Sequence, residues 1–186
     1  MSGWFDLAGS SFASDVNYWR IGAGFERGIK FFHAHNLIFS ASTQLGHNLP
    51  FWNEFTAGGP NLRGYLFQQY RGDTQISGKL EYHVPLFSVR SLDFRALVFY
   101  DTSALWFRDI PNNPPDLAGY IVRDTPDARS FDPKTEQGFS PTRDIHNAVG
   151  AGLRFFLRSV AVPLVGFDAG YGIEARQWRF FLVLGA

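Results

Sequence analysis

Polar and apolar residues alternate with a period of two along much of the chain. In "GDTQISGKLEYHV", residues 72–84, Ile76, Leu80, Tyr82 and Val84 fall on one face. Gln75, Ser77, Lys79, Glu81 and His83 fall on the other. In "LDFRALVFYDTSALW", residues 92–106, Leu92, Phe94, Ala96, Val98, Tyr100 and Trp106 share a face opposite Asp93, Arg95, Asp101 and Ser103. "NLIFSASTQL" sets Leu37, Phe39, Ala41 and Leu45 against Asn36, Ser40, Ser42 and Gln44. "YWRIGAGFE" sets Trp19, Ile21, Ala23 and Phe25 against Arg20, Gly22, Gly24 and Glu26. Successive side chains of a strand point to opposite faces, so this pattern predicts β-strands with one apolar side. Four weaker runs, at about 4–13, 147–157, 160–171 and 177–185, bring the set to eight. No helix-period segment of useful length stands out.

Several of these strands reach nine residues or more. Strands of water-soluble proteins average about five or six, whereas a tilted strand needs about nine to eleven to cross a bilayer. Period and length leave two readings open, a transmembrane barrel or a soluble sandwich or lipocalin-like barrel. Loop lengths separate them. Long connections, 48–73 and 108–146, follow odd strands, and the short ones near 28–34, 85–91 and 158–159 follow even strands. Outer-membrane barrels show that alternation of long outer loops and short periplasmic turns. The short connections near 14–16 and 172–176 make the pattern partial. The expectation is a single all-β domain over 1–186, an eight-stranded antiparallel up-and-down transmembrane β-barrel, present as a monomer. Trp19, Tyr82, Tyr100, Trp106, Tyr171 and Trp178, near strand ends, are candidates for interfacial girdles.

Composition agrees with an apolar surround. Aromatics make up 17% of the chain and charged residues 18%, against about a quarter charged in soluble domains. Seventeen basic and seventeen acidic side chains cancel, which removes the electrostatic support for nucleic-acid binding. Cysteine is absent, excluding disulfides, thiolate metal sites and thiol nucleophiles. No apolar run is long enough for a transmembrane helix. The opening "MSGWFDLAGSS" has no basic start followed by an apolar stretch. Residues 108–146 hold six of the ten prolines and are expected to form a long extracellular loop.

Little here points to catalysis or to a cofactor. "AGGPNLRGY" lacks the Lys-Ser/Thr pair of a phosphate loop and opens no helix. "GAGFERG" lies within an alternating strand. His33 and His35 are two apart near a turn with no third ligand nearby, and no G-x-S-x-G elbow occurs. The protein is expected to be no enzyme and to hold no metal or cofactor. Inward carboxylates are more telling. Glu81 and Asp101 share the polar face of adjacent strands, and buried carboxylates repel unless a cation joins them. Arg20, Lys79, Arg95 and Arg154 are candidate wall partners; Arg63 is another if its loop folds inward.

Three segments carry a family resemblance, in order. "GGPNLRGY" resembles the Arg-Gly-aromatic loop of the BamA superfamily of outer-membrane barrels, the bacterial surface antigen family. "GKLEYHVPLF" and "LVFYDTSALW" resemble its next two strands, with an inward Glu and an inward Asp. The last departs from the family pattern at Ser103, where Gly is usual. The chain is similar to the C-terminal half of such a barrel, either as a minimal eight-stranded member or as part of a larger one. The resemblance implies that the loop, about 48–73, folds into the lumen and that Arg63 pairs with Glu81 and Asp101. Gly58, Gly59, Asn61, Leu62, Gly64 and Tyr65 complete that loop motif. Gly22, Gly24, Ser40, Ser42, Ala148, Gly150 and Gly152 on the inner face are expected to make room for Asn61 to Tyr65, giving a plugged barrel. The implied role is in outer-membrane protein insertion or membrane organisation, integral to the bacterial outer membrane, with the lipid bilayer and client outer-membrane proteins as partners. A structural or surface-display barrel, and a soluble β-barrel binding an apolar ligand, are the alternative readings.

Overall fold

Alternation of this kind is satisfied when each strand finds an antiparallel neighbour and turns its apolar side one way, and the described strands of the main sheet do this. The computed structural model describes residues 1–8, 17–32, 34–108, 138–157 and 163–184. Its strands are β1 (Ser2–Ala8), β2 (Tyr18–Phe31), β3 (His35–His47), β4 (Phe55–Ala57), β5 (Tyr70–Gly72), β6 (Thr74–Val89), β7 (Leu92–Trp106), β8 (Ile145–Leu157), β9 (Pro163–Gly172) and β10 (Gln177–Leu184). A single-turn helix, α1 (Pro141–Asp144), precedes β8. Eight of the strands form one antiparallel sheet in the order β1-β2-β3-β6-β7-β8-β9-β10, and β4 pairs with β5 in a separate small ribbon.

The fold is all-β, as the alternation predicts, but the sheet is not closed. Among the described residues β1 and β10 each pair on one side only. That corrects the expectation of a closed eight-stranded barrel. Alternation specifies which face of a strand is apolar and carries no information on whether the first and last strands meet.

Two expected turns are shorter than predicted. Pairing of β2 with β3 continues to Phe31↔His35, leaving 32–34 as the connection. β6 runs on through Pro85 to Val89, with a shift of register between Pro85 and Phe87. Proline has no N–H for the ladder, and a bulge lets a strand continue past it. The turn narrows to Arg90 and Ser91, with Arg90 at φ 52°. Parts of other expectations lie outside the described residues: the end of the first strand and the connection at 14–16, His33, most of the Pro-rich loop 108–146, and the connection at 158–159.

The register fixes the two faces. Phe5, Ile21, Phe25, Ile76, Leu80, Val98, Phe167, Trp178, Phe180, Leu182 and Leu184 are exposed on one side, Phe180 at 79%. On the other side Leu97, Phe99, Asp101, Ser103, Leu105 and Ala148 are buried. Residues 49–73 cover that second face. Leu49, Phe55, Ala57, Leu62 and Tyr65 from this segment pack with Leu105, Ala148 and Ala175 into one core cluster. The apolar core is thus formed between a loop and a sheet.

Candidate functional site

Glycine shapes the loop before any contact is made. Gly58 has φ +122° and Gly64 φ +100°, backbone conformations that L side chains rarely adopt. Between them Gly59 bridges to Leu62, and the Gly59 N–H donates to the Tyr65 carbonyl at 3.1 Å. The result is a narrow tip that points Arg63 at the sheet. Lys79 of β6 donates to the Pro60 carbonyl at 3.0 Å.

Arg63 is 4% exposed and touches three strands. Its Nε and Nη2 donate to the two carboxylate oxygens of Asp101 on β7, at 2.8 and 2.7 Å. The Arg63 backbone N–H donates to the same carboxylate at 3.2 Å. Nη1 lies 2.7 Å from Glu81 Oε1 on β6 and 3.3 Å from Asp168 Oδ2 on β9. In a flat sheet β6 and β9 stand about 14 Å apart, at ~4.8 Å per strand. One nitrogen meeting side chains from both shows that the sheet curls around the loop. The guanidinium also lies over Phe99, 3.4 Å from its ring centroid, an attraction that needs no further charge.

Each carboxylate other than Asp101 has a second partner. Asp168 receives Arg154 of β8 through two bonds of 2.5 and 2.8 Å. His83 Nε2 sits 2.8 Å from Glu81 Oε2. Asp101, fully buried, takes its hydrogen bonds among the described residues from Arg63, with the charge of Lys79 facing it from β6. The planar guanidinium fork suits this arrangement, because it presents several N–H groups in fixed directions.

The structure brings Arg63, Glu81 and Asp101 together and adds Asp168 and Arg154. Sequence reasoning placed Arg154 on the wall but left Asp168 out, because "PLVGFDAGYG" alternates small and apolar residues and its one acid has no nearby sequence signal. Lys79 faces Asp101 from β6, and the two remaining candidate cations serve elsewhere. Arg20 pairs with Asp6 at 2.9 Å, and Arg95 lies 5.5 Å from the Phe156 ring.

Clearance for the tip comes from different glycines than expected. Gly64 lies directly against Gly172 of β9, and a Cβ on Gly170 would meet Gly64 N at 2.7 Å and Arg63 C at 2.9 Å. Gly150 and Gly152 instead make space for Phe99 and Asp168, and Gly22 for Trp4. Gly24, Ser40 and Ser42 border a cavity of about 360 Å³ shared with Asn61, Gln75, Ser77 and Lys79. The tip is seated toward the β7–β9 side, where its ion pairs are, and the small residues of β2 and β3 are left facing that space.

Further contacts fasten the loop. Tyr65 Oη donates to the Asn147 carbonyl at 3.0 Å and to the Glu174 carboxylate. Burial alone would raise the Glu174 carboxyl, but hydrogen bonds from Asn147 and Tyr65 outweigh it and hold the group below its ordinary value. At the base of the loop Arg71 Nε lies 3.0 Å from Glu54. Burial outweighs the attraction of Arg71, and the Glu54 carboxyl is pushed up to about 7. Tyr70 stacks on His146 with ring centroids 3.5 Å apart. Asp73 accepts the Thr74 hydroxyl at 2.8 Å and the Arg108 N–H at 2.9 Å. His35, one of the two turn histidines, has Nδ1 2.6 Å from Tyr82 Oη.

The charge cluster around Arg63 is a fastening. It ties an otherwise separate loop to three strands. In comparisons with known proteins, the family model described as the Omp85 superfamily domain matches residues 2–173. No curated protein matches the chain.

Proposed function

The chain belongs to the Omp85 superfamily, and from that membership we propose that it forms wall and plug of an outer-membrane β-barrel that aids outer-membrane protein insertion or organises the surrounding membrane. The observation that carries this reading is the seat of Arg63. A buried guanidinium joined to acids from β6, β7 and β9 holds the loop across the inner face of the sheet. On this reading the apolar outer face, with Phe5, Leu80, Val98, Phe167 and Phe180 exposed, meets lipid. The strand lengths, 13 to 16 residues for β3, β6, β7 and β8, suit a tilted crossing of a bilayer. The protein acts without catalysis or cofactor. The loop fills the lumen on the β7–β9 side and leaves no open pore, so any effect on a client is exerted at the barrel wall or through the lipid beside it.

A structural or surface-display barrel is the second reading; its support is the long connection 108–146 at the same end of the strands as the loop base. Two measurements divide the readings. A detergent-refolded sample should migrate on a gel in a heat-modifiable way; a chain that stays folded without detergent sinks both membrane readings. Proteoliposomes containing the protein should speed insertion of an unfolded outer-membrane client over empty liposomes; an unchanged rate leaves the display reading.

A further inference from the structure

One arginine breaks the apolar pattern of the sheet's outer face. Arg27 of β2 is exposed and lies opposite Phe39 of β3, which in turn lies opposite Leu80 of β6. Residues directly opposite across a ladder share a face. Phe39 and Leu80 are exposed on the outer side, as are Phe25 and Ile29, which flank Arg27 along its own strand. Register puts every other Asp, Glu, Lys and Arg of the described main-sheet strands on the inner side. That includes the neighbours Glu26 and Lys30, and Glu26 borders the inner cavity with Asn61. No acid on the outer face can therefore pair with Arg27. Among the described residues its guanidinium makes no ion pair or hydrogen bond.

A charge on a lipid-facing wall costs most at mid-depth and little near the headgroups. Arg27 stands four residues before Phe31, the last residue of β2. At ~3.3 Å per residue and a tilt of ~40°, it lies about 10 Å from the short-turn end of the strand and about 23 Å from the end at Tyr18. Rings gather at the nearer end. Phe31 stacks on Tyr82 with centroids 5.7 Å apart, and Phe32 meets Phe31 edge-on at 5.4 Å. The Tyr82 hydroxyl lies 2.6 Å from His35 Nδ1. Rings with a polar tip mark the headgroup level of a bilayer. The Arg27 stem can lie along Ile29 and carry its guanidinium toward that level.

We propose that Arg27 holds one anionic phospholipid by its phosphate, in the leaflet on the side of the short turns. The guanidinium fork fits two phosphate oxygens. With no acid on this face, the site has one uncompensated positive charge. A headgroup with one net negative charge neutralises it, whereas a zwitterionic headgroup brings a cation of its own. Arg90, exposed in the next short turn, adds to the attraction for an anionic leaflet. Phe25, Ile29 and Phe39 give the acyl chains an apolar wall beside the phosphate. This site deepens the membrane-wall reading above and rests on it.

Protein refolded in detergent, its folded fraction selected by heat-modifiable migration, is titrated with phosphatidylglycerol or with phosphatidylcholine. Native mass spectrometry counts the lipids bound. The parent should bind its first phosphatidylglycerol about fivefold more tightly than its first phosphatidylcholine, the equivalent of ~1 kcal/mol for one cation near a membrane surface. Arg27→Gln should abolish the preference. Arg27→Lys keeps the charge without the fork and should retain part of it. Lys30→Gln, an equal change of charge on the inner side of the same strand, should leave it intact. A parent that does not distinguish the two lipids overturns the proposal, as does an Arg27→Gln variant that still does. A Lys30→Gln variant that loses the preference equally also overturns it, because net charge alone then accounts for the effect. If Arg27→Gln binds lipid as the parent does but slows insertion of an unfolded client into proteoliposomes, the outer cation meets protein and the lipid site is overturned. In all these cases heat-modifiable folding persists and the membrane reading stands. A chain that folds only outside detergent overturns that reading, and the lipid site with it.

Discussion

Replacing Arg63 by alanine tests the seat of the loop most directly. The substitution removes two of the three N–H groups that Asp101 accepts, those at 2.8 and 2.7 Å, and keeps the backbone one at 3.2 Å. Asp168 retains Arg154 at 2.5 Å, and Glu81 retains His83 at 2.8 Å. One fully buried carboxylate therefore keeps only the residue-63 backbone N–H and the attraction of Lys79, which faces it across the β6–β7 ladder. Breaking a buried pair from one side costs about 3–5 kcal/mol, most of it the penalty of the charge left behind. The lost packing over Phe99 is included in that range. The assay is equilibrium urea unfolding of protein refolded in detergent or lipid vesicles, followed by tryptophan fluorescence. The double variant Arg63→Ala/Asp101→Asn removes the stranded charge, so its loss should fall short of the sum of the single losses by ~0.5–3 kcal/mol. Arg63→Lys keeps the charge but not the fork and should recover only part of the stability. Parent-like unfolding of Arg63→Ala would refute the reasoning. So would strict additivity of the two substitutions.

Other perturbations probe the surroundings of the seat. Gly170→Ala puts a Cβ within 2.9 Å of the Arg63 and Gly64 backbone and should cost about 1–3 kcal/mol by overpacking; Gly28→Ala, which meets nothing within 4 Å, should leave the same unfolding curve unchanged. Glu54, with its carboxyl raised from 4.5 to about 7, contributes stability that is complete below pH 4.5 and is lost as pH rises through 7. The unfolding midpoint should decline across that window in the parent, and the decline should flatten in Glu54→Gln. Glu174 shifts the other way: its contribution is present above the ordinary carboxyl value and is lost as pH falls through the depressed one. Tyr65→Phe should cost about 1 kcal/mol and weaken that acid limb, read from the midpoint measured at falling pH.

The chain alone determined the strands and their two faces. Side-chain direction in a strand depends only on position parity, so alternation fixed Gln75, Lys79, Glu81 and Asp101 to one side without reference to any neighbour. It also made Glu81 and Asp101 conspicuous, since acids on the inward face of paired strands need a cation. The loop tip was legible through its glycines and its Arg-Gly-aromatic triplet. Asp168 and the seat glycines Gly170 and Gly172 were not, because their roles exist only once β9 curls round to face a segment about a hundred residues earlier in the chain. Phe99 was hidden for a similar reason. It lies on the inner face of β7, where Leu97 and Leu105 also interrupt the polar pattern, and the guanidinium above it accounts for an aromatic there. Closure was beyond the sequence altogether. A strand's alternation is satisfied equally by a neighbour from its own chain or from another copy. Which of them meets β1 and β10 depends on the curvature of the sheet and on the volume of what it encloses, and both are properties of the assembled tertiary structure.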